Sequence, residues 1–242
     1  MSANGSYANK KMIRLEDRLD EVRDEVRSSL LAAGRSAEDT RILAVSKQQP
    51  TTAIKTLFKA GQKDFGENYA QDAIEKMEKL KQYNLRWHFI GQIQSNKTRI
   101  IAERFQWVHT IDRIKIAARL NRQRPTNSSP LKVCIQVNQS GYRDKSGVDE
   151  SKISELAHAI MEMPALKLQG LMTLPPVNST TENKALFFER LKVIKQRLAQ
   201  DGILLDTLSM GMSADMKVAI AHGSTIVRVG TAIFGPRSRK KI

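Results

Sequence analysis

The sequence predicts a single (β/α)8 barrel of TIM type, preceded by one extra helix. Strand and helix patterns alternate along the chain, and eight strand–helix units can be counted, the eighth cut short. The length of 242 residues suits such a barrel, which usually occupies about 250 residues. A doubly wound open sheet is the structural alternative. It needs fewer strands and a glycine-rich first turn, whereas the first turn here is Lys-Gln-Gln-Pro.

An amphipathic helix opens the predicted domain. Five apolar residues recur at helical spacing between alternating charges, and a glycine ends the pattern. These residues are Leu15, Leu19, Val22, Val26 and Leu30, followed by Gly34. Because the helix precedes the first strand, we expect it to pack on the outside of the barrel or to cap its bottom. Residues 1–10 are predicted to be a disordered tail, 11–236 the barrel domain and 237–242 a basic tail.

The strand–helix units follow in order, with short turns between the strand and helix patterns. The predicted strands are 41–46, 63–66, 86–90, 107–111, 131–137, 166–174, 206–210 and 226–229. The helices after the first seven strands begin near Thr51 or Thr52, Tyr69, Ser95, Asp112, Asp149 or Ser151, Thr181 and Ser213. Since the carboxyl ends of all barrel strands share one face, residues at those ends are candidates for one common site.

The composition limits the compartment and the partners. The single cysteine, Cys134, lies in an apolar segment, which predicts a buried thiol in a reducing compartment. No apolar segment approaches the ~20 residues of a membrane span and the N-terminus lacks a signal core, so we expect a cytoplasmic protein. The net charge of +15 is compatible with nucleic acid, but aromatic residues make up only 5% and no nucleic-acid-binding motif is visible. We interpret the charge as favouring solubility and small anions.

Lys47 follows the first buried strand and therefore lies at the carboxyl rim of the barrel. A lysine that is desolvated there can lose its proton and attack a carbonyl as an amine nucleophile. The alternative is a lysine that extends its ammonium group into water.

Two loops, after the seventh and eighth strands, are suited to an anion. Ser213 follows a glycine-containing turn at the start of a predicted helix, where free N–H groups favour phosphate. The alternative is that Ser213 only caps its own helix. Gly230 and Thr231 follow the eighth strand, where the backbone can approach a ligand and the N–H and hydroxyl groups can donate. Phosphate sites on these two loops recur in barrels.

Arg228 alternates with valines in the eighth strand and is therefore predicted to point inward. A buried guanidinium needs an acceptor, either a carboxylate partner or a ligand atom. An amine, a phosphate site and a cation together match pyridoxal phosphate (PLP). A Schiff-base aldolase needs only the first two and usually an acid/base pair near its lysine, and no carboxylate flanks Lys47. The four histidines lack metal-ligand spacing, so no metal is predicted, and His88 is either a cofactor contact or only structural.

The set and order of motifs resembles the pyridoxal phosphate homeostasis proteins, a family similar to the N-terminal barrel of bacterial alanine racemase. The resemblance covers residues 15 to 235, and its motifs are 44–47, 65–69, 87–97, 145–147, 170–172, 209–213 and 227–231. The chain departs from the family pattern at Gln48-Gln49 and in the loop 140–144, which concerns the outer pocket. The resemblance implies that Lys47 forms the internal aldimine and that Arg228 faces the pyridine nitrogen. It further implies a phosphate site of Ser213, Gly230 and Thr231, and a pocket that also includes Asn68, His88 and Met210.

The resemblance favours a PLP carrier over a racemase. A two-base racemase needs a second base, which in alanine racemase comes from a C-terminal β-domain that we expect to be absent here. A charged arginine beside the pyridine nitrogen also weakens the ring as an electron sink. We therefore expect a non-catalytic monomer that buffers or delivers PLP, contacts PLP-dependent apo-enzymes transiently and influences amino-acid metabolism indirectly. The alternative is a PLP-dependent amino-acid racemase with weak activity.

Overall fold

The computed structural model describes residues 13–139, 146–176 and 178–236. In this part of the chain eight parallel strands close into a barrel in sequence order, with the last strand paired to the first. The predicted (β/α)8 barrel is therefore confirmed, and the open-sheet alternative is wrong. The strands are β1 Arg41–Val45, β2 Asp64–Glu67, β3 Arg86–Phe89, β4 Trp107–Ile111, β5 Leu131–Gln136, β6 Leu166–Met172, β7 Thr207–Met212 and β8 Ile226–Val229. The predicted tails 1–10 and 237–242 and the loop 140–144 lie outside the described residues.

The helices of the described residues surround this barrel. They are α1 Leu15–Ala32, α2 Thr51–Lys59, α3 Ala70–Lys79, α4 Thr98–Arg104, α5 Ile114–Gln123, α6 Ile153–Met161, α7 Thr181–Gln200, α8 Met216–Ala221 and α9 Thr231–Phe234. Short 3₁₀ turns, Ser95–Lys97 and Glu150–Lys152, precede α4 and α6. None of the helices that the structure describes combines the length and the apolar composition needed to cross a membrane.

Helix α1 packs on the outside of the barrel, one of the two predicted positions. Leu19, Val22, Val26 and Leu30 of the predicted stripe are buried, and the helix contacts α2, α8 and α9. Helix α9, which follows the last strand, has only four residues. Helix α1 therefore covers the flank between the first and last strands, where a complete barrel has its eighth helix.

Side chains along each strand alternate between the barrel interior and the layer beneath the helices. In β8 the valines Val227 and Val229 belong to the core between strands and helices, whereas Ile226 belongs to a separate interior cluster. That interior cluster consists of Leu43, Trp107, Cys134, Met172 and Ile226. Cys134 is buried as predicted, and burial raises the pKa of its thiol to about 12.

Candidate functional site

A cavity of about 470 Å³ lies at the carboxyl ends of the strands. Most of the predicted site residues line it, namely Lys47, Asn68, Ser213, Arg228, Gly230 and Thr231. Apolar side chains such as Ile90, Met172, Pro175 and Phe234 complete the walls. Arg228 and Met172 in the cavity wall are buried, whereas Thr231 is exposed. The cavity thus combines apolar walls with a few convergent polar groups, as small-molecule sites do.

Lys47 lies just past the end of β1, half-buried, and lines the cavity. The next residue, Gln48, has a φ of 62° and is the one non-glycine residue with positive φ among those described. This uncommon backbone turns the chain directly after Lys47 and brings Gln49 into the cavity wall. The Gln48-Gln49 departure therefore falls on the turn that presents the lysine.

A buried ionic cluster fixes the backbone beside Lys47. Lys76 Nζ donates to the Ser46 carbonyl oxygen and to Glu67 Oε1, both at 2.7 Å, and Ser46 Oγ donates to Glu67 Oε1 at 2.6 Å. Burial raises the pKa of Glu67 although Lys76 opposes the shift. The cluster ties β1 to β2 and α3. Sequence reasoning missed it, because neither Glu67 nor Lys76 stands out from the other polar and charged residues beside it in the sequence.

Arg228 points into the barrel, as its alternation with valines predicts, and is buried. Its Nη1 donates to the Ser209 carbonyl oxygen at 2.6 Å and to Ser209 Oγ at 2.7 Å, and its Nη2 donates to the Thr173 carbonyl oxygen at 2.9 Å. These acceptors are all neutral, and no ion pair joins Arg228 to a carboxylate of the described residues. Burial lowers the pKa of Arg228 to about 10, against the field of Asp215, so the guanidinium is still charged at neutral pH.

Ser213 connects the loops after β7 and β8. Its Oγ accepts a hydrogen bond from the Ala232 backbone N–H at 3.3 Å, in the first turn of α9. The predicted helix start at Ser213 is wrong: α8 begins at Met216, because Asp215 Oδ1 accepts from the Met212 N–H at 2.6 Å and closes a tight turn first. Ser213 therefore does not cap its own helix. It joins the two loops that were predicted to hold a phosphate.

Gly230 lies between β8 and α9 and lines the cavity. Its φ of −112° is accessible to any residue, and a Cβ there would meet Val45 only at an ordinary 3.6 Å. The fold thus does not require a glycine at this position. The missing side chain instead leaves space beside the cavity.

Asn68 follows β2 and presents a polar atom without a protein partner. Its Oδ1 is buried and has no hydrogen-bond partner among the described residues, although the residue lines the cavity. Buried polar atoms are nearly always paired, so an unpaired one at a cavity wall favours a ligand or water partner.

His88 and Met210 are not brought into the cavity wall. Ile90, directly after β3, lines the cavity, and His88 lies two residues below it, bonded to Asp64 and His109. Met210 neighbours the inward Ser209 and therefore faces the helices, where it is fully buried in the outer core. The structure thus separates these two from the other predicted site residues, and also describes no cluster of His, Cys, Asp or Glu that could hold a metal.

Comparison with known proteins places the chain among PLP-related barrels. Residues 19–238 match the model of the alanine racemase N-terminal domain. The chain is 47% identical over 230 residues to a pyridoxal phosphate homeostasis protein of Vibrio alginolyticus, covering 93% of this chain and 99% of that one. It is 46% identical over 226 residues to the protein of the same name in Escherichia coli K12, covering 92% and 97%.

Solved structures give the same result. PipY of Synechococcus elongatus PCC7942, in a structure with PLP bound, is 32% identical and superposes with a TM-score of 0.82 over 92% of this chain and 100% of that chain. The alanine racemase of Corynebacterium glutamicum shares the fold, with a TM-score of 0.63 at 17% identity over 93% of this chain and 63% of its own. The family match and the high identity over nearly the whole length agree with the resemblance of the motifs. The chain therefore belongs to the family of pyridoxal phosphate homeostasis proteins, whose barrel matches the N-terminal domain of alanine racemase.

Proposed function

We propose that this protein binds PLP in the cavity, holds it as a Schiff base on Lys47 and serves intracellular PLP homeostasis by buffering and delivering the cofactor. The observation that carries this proposal is the convergence of Lys47, Arg228 and the joined loops of Ser213 and Gly230 on one cavity. The names and the PLP-bound structure of the relatives support it.

The residues around the cavity fit this cofactor. The volume of about 470 Å³ lies in the ordinary range of small-molecule sites. The unpaired Asn68 Oδ1 offers an acceptor, and the space at Gly230 would be filled by a Cβ. When bound, PLP supplies an aldehyde that an amine captures reversibly.

Each polar group has a separate task in this proposal. Lys47 provides the amine. Arg228 donates to the ring nitrogen and, since it keeps its own proton, holds that nitrogen unprotonated. Ser213, Thr231 and the N–H groups of their loops donate to the phosphate. An unprotonated ring nitrogen is a weak electron sink, which suits holding PLP better than amino-acid turnover.

Chemical trapping tests the site directly. The full chain is loaded with PLP, reduced with borohydride and analysed by peptide mass mapping. We expect a pyridoxyl group on Lys47, loss of the PLP absorption band in Lys47→Arg, and no change in the control Lys59→Arg on the surface of α2. A label on another lysine, or none, would overturn the proposal.

Transfer of PLP from the loaded protein to an apo-enzyme tests the carrier role. We expect the loaded protein to reactivate a PLP-dependent apo-enzyme, and the Lys47→Arg variant taken through the same loading to fail. Lys47-dependent interconversion of alanine enantiomers at a rate that competes with transfer would favour the racemase alternative instead.

A further inference from the structure

A continuous chain of buried polar side chains runs through the barrel interior from Arg228 toward the opposite end. Arg228 Nη1 lies 2.7 Å from Ser209 Oγ, and Ser209 Oγ lies 2.8 Å from His109 Nδ1. His109 Nε2 lies 2.9 Å from His88 Nδ1, and His88 Nε2 lies 3.0 Å from Asp64 Oδ1. Five strands contribute one residue each, and all five residues are buried. We call Arg228, Ser209, His109, His88 and Asp64 the inner polar chain.

When both histidine rings are neutral, the two ends of the inner polar chain fix the direction of every bond in it. Arg228 can only donate, and the Asp64 carboxylate can only accept. Ser209 Oγ therefore accepts from Arg228 and donates its proton to His109 Nδ1. His109 donates from Nε2 to His88 Nδ1, and His88 donates from Nε2 to Asp64. Among the neutral tautomers, only the one with the proton on Nε2 satisfies all these contacts at both rings.

The surroundings agree with neutral rings. His88 stacks on Trp107 with the ring centroids 5.3 Å apart and the planes 6° apart, within the apolar interior. Burial lowers the pKa of both histidines, His109 well below its usual value, with Arg228 and Arg41 adding to the effect on His109. Burial alone would raise the pKa of Asp64, but the hydrogen bonds from His88 and Arg86 outweigh it and hold that pKa well below its usual range.

Arg86 closes the lower end of the inner polar chain. Its Nε donates to Asp64 Oδ1 at 2.7 Å and its Nη2 to Oδ2 at 2.5 Å. Asp64 thus contacts one cation, Arg86, directly. The neutral side chains of the inner polar chain connect it to a second cation, Arg228, at the cavity. Hydrogen bonds aligned in one direction polarise one another, so each link strengthens its neighbours.

We propose that His88, His109 and Ser209 are positioning residues that hold the Arg228 guanidinium at the cavity and couple its charge to Asp64 through one-way hydrogen bonds. The effect on bound PLP rests on the proposed function above. The bond directions do not, because they follow from the chain's own residues.

Nuclear magnetic resonance of the protein without PLP tests the bond directions. The sequence has four histidines, and the double variant His158→Gln/His222→Gln leaves only the two buried ones. We expect both rings to show the neutral Nε2–H tautomer in ¹⁵N spectra near the usual histidine pKa of about 6.5. An imidazolium or an Nδ1–H tautomer at either ring would overturn the proposal.

Spectroscopy of the loaded protein tests the coupling to the site. Ser209→Ala removes one acceptor of Arg228 and the donor to His109, so we expect PLP to bind about tenfold more weakly, with a shifted absorption band. Cys134→Ala, a buried interior change outside the inner polar chain, is the control and should alter affinity less than about twofold. An unchanged band and affinity in Ser209→Ala would contradict the coupling. If wild type fails to label on Lys47, the proposed function fails while the tautomer experiment still decides the inner polar chain.

Discussion

Ser213 Oγ lies 3.3 Å from the backbone nitrogen of Ala232, so a side chain after β7 accepts a hydrogen bond from the first turn of α9. The two loops that line one end of the cavity are thereby joined by the same hydroxyl that is proposed to contact the phosphate. The hydroxyl accepts from Ala232 and can donate its own proton to an oxygen in the cavity. This arrangement makes the position of each loop depend on the other.

Ser213→Ala removes this connection and one proposed phosphate donor. We expect PLP to bind about tenfold more weakly, since a hydrogen bond to a charged group is lost. The measurement is a titration of PLP absorbance. Ser154→Ala, in α6 on the outside of the barrel, is the control, and equal affinities of the two variants would contradict the role of Ser213.

Gly230→Ala tests whether the space at Gly230 serves ligand binding and not the stability of the fold. The new methyl group meets Val45 at an ordinary 3.6 Å, so the free energy of unfolding should change by less than about 1 kcal/mol. PLP affinity should nevertheless fall, because the methyl group fills space beside the cavity. Urea unfolding and PLP titration on the same preparation measure both effects.

The matched change for that experiment is Gly211→Ala. Gly211 has a φ of +91°, and a Cβ there would lie 2.6 Å from the Ala219 Cβ. We expect this variant to lose more than about 1 kcal/mol of stability. If Gly230→Ala is the less stable of the two, the interpretation of Gly230 is wrong.

Lys76→Met leaves the Glu67 carboxylate buried without its cation. Removing one partner of a buried ion pair typically costs about 3–5 kcal/mol, so a loss of that size is expected in urea unfolding. The double variant Lys76→Met/Glu67→Gln should recover part of the loss. Lys79→Met, exposed on the same helix, should stay within about 0.5 kcal/mol of wild type.

The buried histidines make stability depend on pH. Histidine in an unfolded chain has a pKa of about 6.5. Burial lowers the pKa of His109 in the folded protein well below that value. Below about pH 6.5 the unfolded state therefore binds more protons than the folded state, and the free energy of unfolding falls with the pH. We expect His109→Gln to flatten this decline in unfolding experiments, whereas the exposed His158→Gln should not. Parallel profiles for wild type and His109→Gln would contradict the prediction.

The order of the barrel could be predicted from the sequence because short strand segments alternate regularly with helical patterns, even where the strand itself carries charged residues, as in β2 and β3. The apolar stripe of α1 and the start of α7 at Thr181 could also be predicted, since local sequence patterns mark both. The start of α8 could not be predicted from the sequence. It depends on the Asp215 side chain reaching back to Met212, which a helix pattern does not reveal.

For the site, the sequence by itself determined which polar groups stand at the carboxyl ends of strands, because a parallel barrel places all of those ends on one face. Lys47, Asn68, Ser213, Arg228, Gly230 and Thr231 line one cavity for that reason.

Only the tertiary structure decided how deep each side chain lies. A strand turns alternate residues to opposite faces, and the register with its neighbours sets the height of each layer. This sends Met210 to the helices and places His88 beneath Ile90, where it meets His109 and Asp64 from other strands. Contacts between residues so distant along the chain form only when the barrel closes, so no local pattern could show them.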